Sequence, residues 1–168
     1  MQKTHLYFVP GLAASSKIFE YLTLPKERFE CHFLEWKMPF SVDESIVAYS
    51  LRMCEEIKHE NPVLVGVSFG GIVAQEMSKH VVCKKVILIS SLKNKSELPT
   101  FLKIAQITKI YKLFPAKFVA NIELYTAYFL GNYLQKRAKL YKKYLSVRNP
   151  MYLHWGIYNV LHWKQKET

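Results

Sequence analysis

Six residues, Gly66-Val67-Ser68-Phe69-Gly70-Gly71, place a hydroxyl among glycines at the spacing G-x-S-x-G. That spacing has a chemical meaning where a strand turns sharply into a helix. The turn holds its middle residue in strained backbone geometry and projects the side chain clear of the sheet. Glycines two positions to either side let strand and helix pass without a Cβ between them. A helix starting at Phe69 aims its free N–H groups and its positive end at the same point. A Ser68 hydroxyl held there can attack a carbonyl, and the Phe69 N–H can hold the oxyanion that forms. A phosphate loop fits less well. The P-loop lysine is missing, and Gly66, Gly70 and Gly71 do not form G-x-G-x-x-G.

The motif needs a strand before it and a helix after it. Asn61-Pro62 opens a Val/Leu run at 63–67, and residues 69–80 carry Ile72, Val73, Glu76, Met77 and His80 at helical spacing. Apolar runs at 5–9, 30–36 and 86–89 predict three further strands. Their apolarity is continuous rather than alternating, which marks strands buried on both faces of a parallel sheet. Ser41-Val42-Asp43-Glu44 reads as a capping box that opens a helix through Ile57. Strands alternating with helices give an α/β fold, with helices expected on both faces.

With these elements in place, residues 5–90 resemble the α/β-hydrolase superfamily, and most closely its small serine hydrolases that begin directly at the first strand. Phe8-Val9-Pro10-Gly11-Leu12-Ala13-Ala14 stands where that family has a strand followed by a His-Gly loop. The resemblance implies that the N–H of Leu12, or of Ala13, joins that of Phe69 in an oxyanion hole. Gly11 is the matching loop glycine, and Pro10 replaces the family's usual His. It also implies a parallel sheet of about four strands flanked by helices, with an α-helical cap inserted after the fourth strand. Residues 1–98 would form the core and 99–168 the cap. The implied activity is hydrolysis of a carboxylic ester or thioester through an acyl-enzyme at Ser68, without a cofactor.

Charge divides the chain at the same place. Residues 1–100 hold 12 Lys/Arg against 11 Asp/Glu, whereas residues 101–168 hold 12 against 2 and contain 14 of the 24 aromatic residues. Helices are expected at 100–113, 115–130, 133–147 and 151–163, and their aromatic residues would line an apolar acyl pocket. The Lys/aromatic interleaving of 133–144 reads as a solvated face whose Lys stems cover the rings. Nucleic acid is therefore not an expected partner, although a basic cap would draw in anionic substrates.

A serine nucleophile needs a base, and the base needs an orienting acid. The resemblance implies the order Ser, acid, His, yet the chain's one Asp, Asp43, precedes Ser68. His80 would sit about 18 Å along the elbow helix, too far to serve. Glu97 as the acid and His154 or His162 as the base are weak candidates. The triad partners are expected beyond residue 168. The fourth strand would then be an open edge, expected to pair in a homo-oligomer or swapped dimer. The competing reading is a non-catalytic module of the same fold that binds an apolar or acyl ligand.

No metal-ligand spacing is visible, since His154 and His162 lie too far apart on one helix to chelate. Three cysteines without a CxxC pair read as small buried hydrophobes in a reducing compartment. The start of the chain reads as a strand entering a turn rather than a signal peptide, and no run is long enough to span a membrane. A cytoplasmic location is expected.

Overall fold

A computed structural model of the protein describes residues 3–109 and 143–165. Strands β1 (Thr4–Val9), β2 (Phe29–Phe33), β3 (Val63–Val67) and β4 (Lys85–Ile89) form one sheet in the order β2-β1-β3-β4, with every pairing parallel. The helices are α1 (Ile46–Cys54), α2 (Phe69–Met77), α3 (Thr100–Thr108) and α4 (Pro150–His162). Short 3-10 turns lie at Ser16–Phe19 and Lys95–Glu97.

The strand order reverses between β1 and β3. In open parallel sheets the crevice beyond the carboxyl ends of two such strands is where ligands bind. Here those ends carry the Gly11 loop and Ser68. Crossovers β2–α1–β3 and β3–α2–β4 run in the same direction across the sheet, so right-handedness puts α1 and α2 on the same face. Tyr7, Val9 and Leu64 meet Met53, Ile72, Val73 and Met77 in the core on that side. The β1–β2 connection runs the other way. It gives the opposite face the 3-10 turn at Ser16–Phe19 instead of the expected α-helix. Phe19 and Leu24 cover Leu6, Phe8, Val63 and Val65 there. Among the described residues β4 is an edge strand, and its Ile87 and Ile89 are 37% and 44% exposed.

Several boundaries move for identifiable reasons. The cap of α1 is Ser45, whose hydroxyl accepts from the Ala48 N–H at 3.1 Å, and not the expected Ser41. Glu44 instead accepts from the Phe40 N–H at 2.7 Å and clasps Arg52. Helix α1 stops at Cys54, short of Ile57, and four residues later the Lys58 N–H donates to the buried Tyr7 hydroxyl at 3.0 Å. Helix α2 ends at Met77, three residues before His80. Strand β2 ends at Phe33, because Glu35 and Trp36 leave the sheet to bond the loop that follows β1.

The expected helix at 133–147 does not reach Val147. From Leu145 onward the backbone pairs with residues 13–15, and the N–H groups of Ser146 and Val147 both donate to the Ala13 carbonyl. Lys143 and Tyr144 both bond the Glu20 carboxylate, holding it below the usual carboxylate range. The remainder of that expected helix, all of 115–130 and the end of 100–113 lie outside the described residues.

Helix α4 starts as its sequence suggests. Pro150 takes the first position, and the Asn149 side chain caps the N–H groups of Met151 and Tyr152. Its Tyr152, Leu153 and Trp155 join the same core as α1 and α2. The Trp163 indole that follows donates at 2.7 Å to Glu76, a carboxylate buried within α2 and paired with Lys79. Among the described residues no helix is long and apolar enough to cross a membrane.

Candidate active site

Ser68 caps α2 with φ 51° and ψ −121°, a conformation that side-chain-bearing residues seldom adopt. Its backbone is held on both sides. The Ser68 N–H donates to the Ile89 carbonyl at 2.9 Å, extending the β3–β4 pairing. Its carbonyl accepts from the Gly71 N–H at 2.9 Å and from the Ser91 hydroxyl at 2.6 Å. The residue itself stays exposed, so the strain delivers the hydroxyl to solvent.

The glycines explain how strand and helix approach so closely. A Cβ on Gly66 would lie 2.4 Å from the Gly70 carbonyl oxygen, and one on Gly70 would lie 2.2 Å from that of Pro10. A Cβ on Gly71 would strike the Ser91 hydroxyl at 2.2 Å. Gly11 differs, since a Cβ there would meet Ser68 Cβ at an ordinary 3.8 Å. That contact places the loop after β1 directly beside Ser68.

The loop is braced by groups that the sequence reading missed. The Trp36 indole donates to the Gly11 carbonyl at 2.9 Å, and the Ala14 N–H donates to the same carbonyl at 3.0 Å. Ala13 sits at φ 61°, with its N–H directed to the Tyr152 hydroxyl at 3.4 Å. Burial pushes the Tyr152 phenol well above its usual range, so it stays neutral. The Leu12 N–H has no acceptor among the described residues. Its side chain packs on Gly156 of α4, where a Cβ would come within 2.3 Å of Leu12 Cδ1. Behind the elbow, Trp36, Tyr49, Phe69, Tyr152 and Trp155 pack ring against ring at 4.3–6.3 Å.

Candidate acids and bases are scattered. Glu97 is exposed and accepts from the Lys93 N–H at 2.7 Å within its own turn. His154 is exposed on α4. His162 stacks on Tyr158 with ring centroids 4.2 Å apart and donates from Nδ1 to the Tyr158 carbonyl at 2.9 Å. His80 is exposed beyond the far end of α2. Neither Glu97 nor His154 makes a hydrogen bond or ion pair with Ser68.

The model of an uncharacterised protein family, UPF0227, matches residues 35–126, which is 92 of the 168 residues and includes β3, the elbow and α2. The chain belongs to UPF0227. Solved structures share the fold of this UPF0227 protein at low identity. BpoC from Mycobacterium tuberculosis H37Rv, a candidate non-heme bromoperoxidase, aligns at a TM-score of 0.62 and 14% identity, over 98% of this chain and 68% of its own. MenH from S. aureus aligns at 0.58 and 14%, over 94% and 66%. A hydrolase from Pseudomonas aeruginosa PA01 aligns at 0.59 and 14%, over 95% and 64%. The chain thus spans about two-thirds of the length of each structure. Its parallel sheet and flanking helices have the α/β-hydrolase fold. No curated protein matches the sequence significantly.

Proposed function

We propose that this UPF0227 protein is a serine hydrolase that cleaves a carboxylic ester or thioester, with Ser68 as the nucleophile. The observation that carries this reading is the left-handed backbone of Ser68, which exposes its hydroxyl at the N-terminus of α2 beside Gly11. Attack by Ser68 Oγ on the carbonyl carbon forms a tetrahedral oxyanion, and collapse expels the alcohol or thiol to leave an acyl-enzyme for water to cleave. The Phe69 N–H has no acceptor within its own helix, and the Leu12 N–H has none among the described residues. These two donors serve the oxyanion, while the Ala13 N–H is directed to Tyr152.

The substrate class is a small ester or acyl compound, and the compartment is the cytoplasm. The cationic balance of residues 101–168 favours an anionic substrate. Within the chain, Glu97, His154 and His162 are the candidates for the acid and base that Ser68 requires.

A fluorophosphonate probe followed by peptide mass mapping tests the reading on the full-length protein. The expected result is one adduct, on Ser68, that disappears in Ser68→Ala. An adduct on another serine, or none on the folded protein, overturns it. Slower labelling in Glu97→Gln, His154→Gln or His162→Gln would identify the group that activates Ser68.

A further inference from the structure

Three histidines that look unrelated in the sequence meet at the end of the sheet opposite Ser68. His5 lies near the start of β1, His32 on β2, and His59 in the loop before β3. The β1–β2 register pairs His5 with Glu30 and Tyr7 with His32, so these four side chains share one face. One nitrogen from each of the three rings falls within 4.8 Å of the other two. His5 Nδ1 and His32 Nε2 are 3.2 Å apart. The Glu30 carboxylate faces both, at 3.8 Å from His5 Nδ1 and 4.0 Å from His32 Nε2. The His5 and His59 rings stack with centroids 3.6 Å apart.

We propose that His5, His32 and His59, with the Glu30 carboxylate beside them, form a binding site for a divalent transition-metal ion of the imidazole-preferring kind, typified by Zn2+. Tetrahedral coordination at metal–nitrogen distances of about 2.0–2.1 Å sets ligand nitrogens about 3.3–3.4 Å apart. The His5–His32 pair already has that spacing, and His59 closes on it by turning its ring.

The surroundings resemble the outer shell of a metal site. Tyr7 is buried, and its hydroxyl meets His59 Nδ1 at 2.6 Å while accepting the Lys58 N–H. That contact occupies Nδ1 and leaves Nε2 as the nitrogen available to a ligand. Glu30 supplies negative charge and a fourth donor within reach. The three rings are only partly buried, and a polar cavity of about 260 Å³ lined by His5, Thr4, Glu60 and Asn61 offers an entry path. Lys3 and Lys84 also line that cavity. A metal ion here would tie edge strand β2 and the loop before β3 to β1.

No sequence pattern announces the site. Its ligands lie 27 residues apart, on three separate elements. The test is titration of the metal-stripped full-length protein with Zn2+ by calorimetry, with Co2+ absorption as a second readout. The expected result is one ion per chain with a dissociation constant in the micromolar range or below. At saturating Zn2+ the melting temperature should rise by about 5–10 °C. His5→Gln, His32→Gln and His59→Gln should each weaken binding at least about tenfold, and Glu30→Gln, at a half-exposed side chain, by several-fold with the fold intact. His80→Gln should leave binding unchanged. Melting curves without metal show whether each variant folds. Affinity no tighter than millimolar, affinity indifferent to the three substitutions, or an equal loss in His80→Gln would overturn the proposal.

Discussion

The Trp36 indole nitrogen donates a 2.9 Å hydrogen bond to the carbonyl of Gly11. Through it, the segment leaving the edge strand β2 holds the loop that lies against Ser68. The bond is part-buried and its acceptor belongs to the backbone, so no side-chain movement can replace it. Trp36→Phe keeps the ring packing on Phe69 and Tyr152 while removing the donor. Stability should fall by about 1–2 kcal/mol in urea unfolding. Fluorophosphonate labelling of Ser68 should slow by more than the stability loss accounts for, because the loop donor moves.

Two glycines in the same region should respond oppositely to a methyl group. Gly70→Ala drives a Cβ into the backbone carbonyls of Pro10 and Val9, neither of which can swing aside. A loss of about 3 kcal/mol, or failure to accumulate as folded protein, is expected. Gly11→Ala meets only ordinary contacts and should melt within a few degrees of the parent. Thermal melts of the two variants side by side check the contrast.

Glu76 is 2% exposed and depends on Trp163 and Lys79 for its bonds. Trp163→Phe leaves that carboxylate with one partner fewer in a buried setting. The expected cost is about 2–3 kcal/mol by urea unfolding. Trp163→Phe combined with Glu76→Gln should recover part of that loss, since the buried charge is gone.

Burial pushes the Cys54 thiol up to about 11 and raises those of Cys31 and Cys83 as well. At pH 8 the folded protein should react with iodoacetamide at Cys54 about a hundredfold more slowly than the urea-unfolded chain, in proportion to thiolate. The raised value also favours the protonated folded state. This contribution is therefore complete below pH 9 and falls away as pH rises toward 11. Comparing the pH dependence of stability with that of Cys54→Ala isolates it.

Among the described residues, strand β4 pairs only with β3, and its Ile87 and Ile89 are partly exposed. The purified protein should self-associate through that edge in sedimentation velocity. Ile87→Lys should shift it toward monomer without lowering the melting temperature. A monomer at all concentrations would remove this expectation.

The elbow was readable because every residue in it answers a local demand. Strand, serine, glycine and helix follow one another along the chain, and Val63–Val67 matches its expected bounds. The loop around Leu12 was readable only in part. Nothing in Pro10-Gly11-Leu12-Ala13 says that Trp36, Tyr152 and Leu145 will hold it, because those contacts form between distant parts of the sequence. Ser91 was missed for the same reason, although the Ser90-Ser91 pair after β4 marks the place. The capping box misled because Ser41 and Ser45 are both eligible caps. The apolar stripe beginning at Ile46 decides for Ser45. Long-range pairing also ended the basic helix early. Its last residues satisfy the Ala13 carbonyl rather than extending their own turn.

The bonds from the Ala13 N–H to the Tyr152 hydroxyl and from the Trp155 indole to the Glu44 carbonyl each join residues more than 110 positions apart. Contacts of that kind form only after a large loop has closed, which slows folding. On the ribosome, β1–β4 and α2 can assemble while α4 is still being made. The Gly11 loop, however, stays without its α4 brace until α4 emerges. The elbow therefore exists before the Gly11 loop beside it is secured.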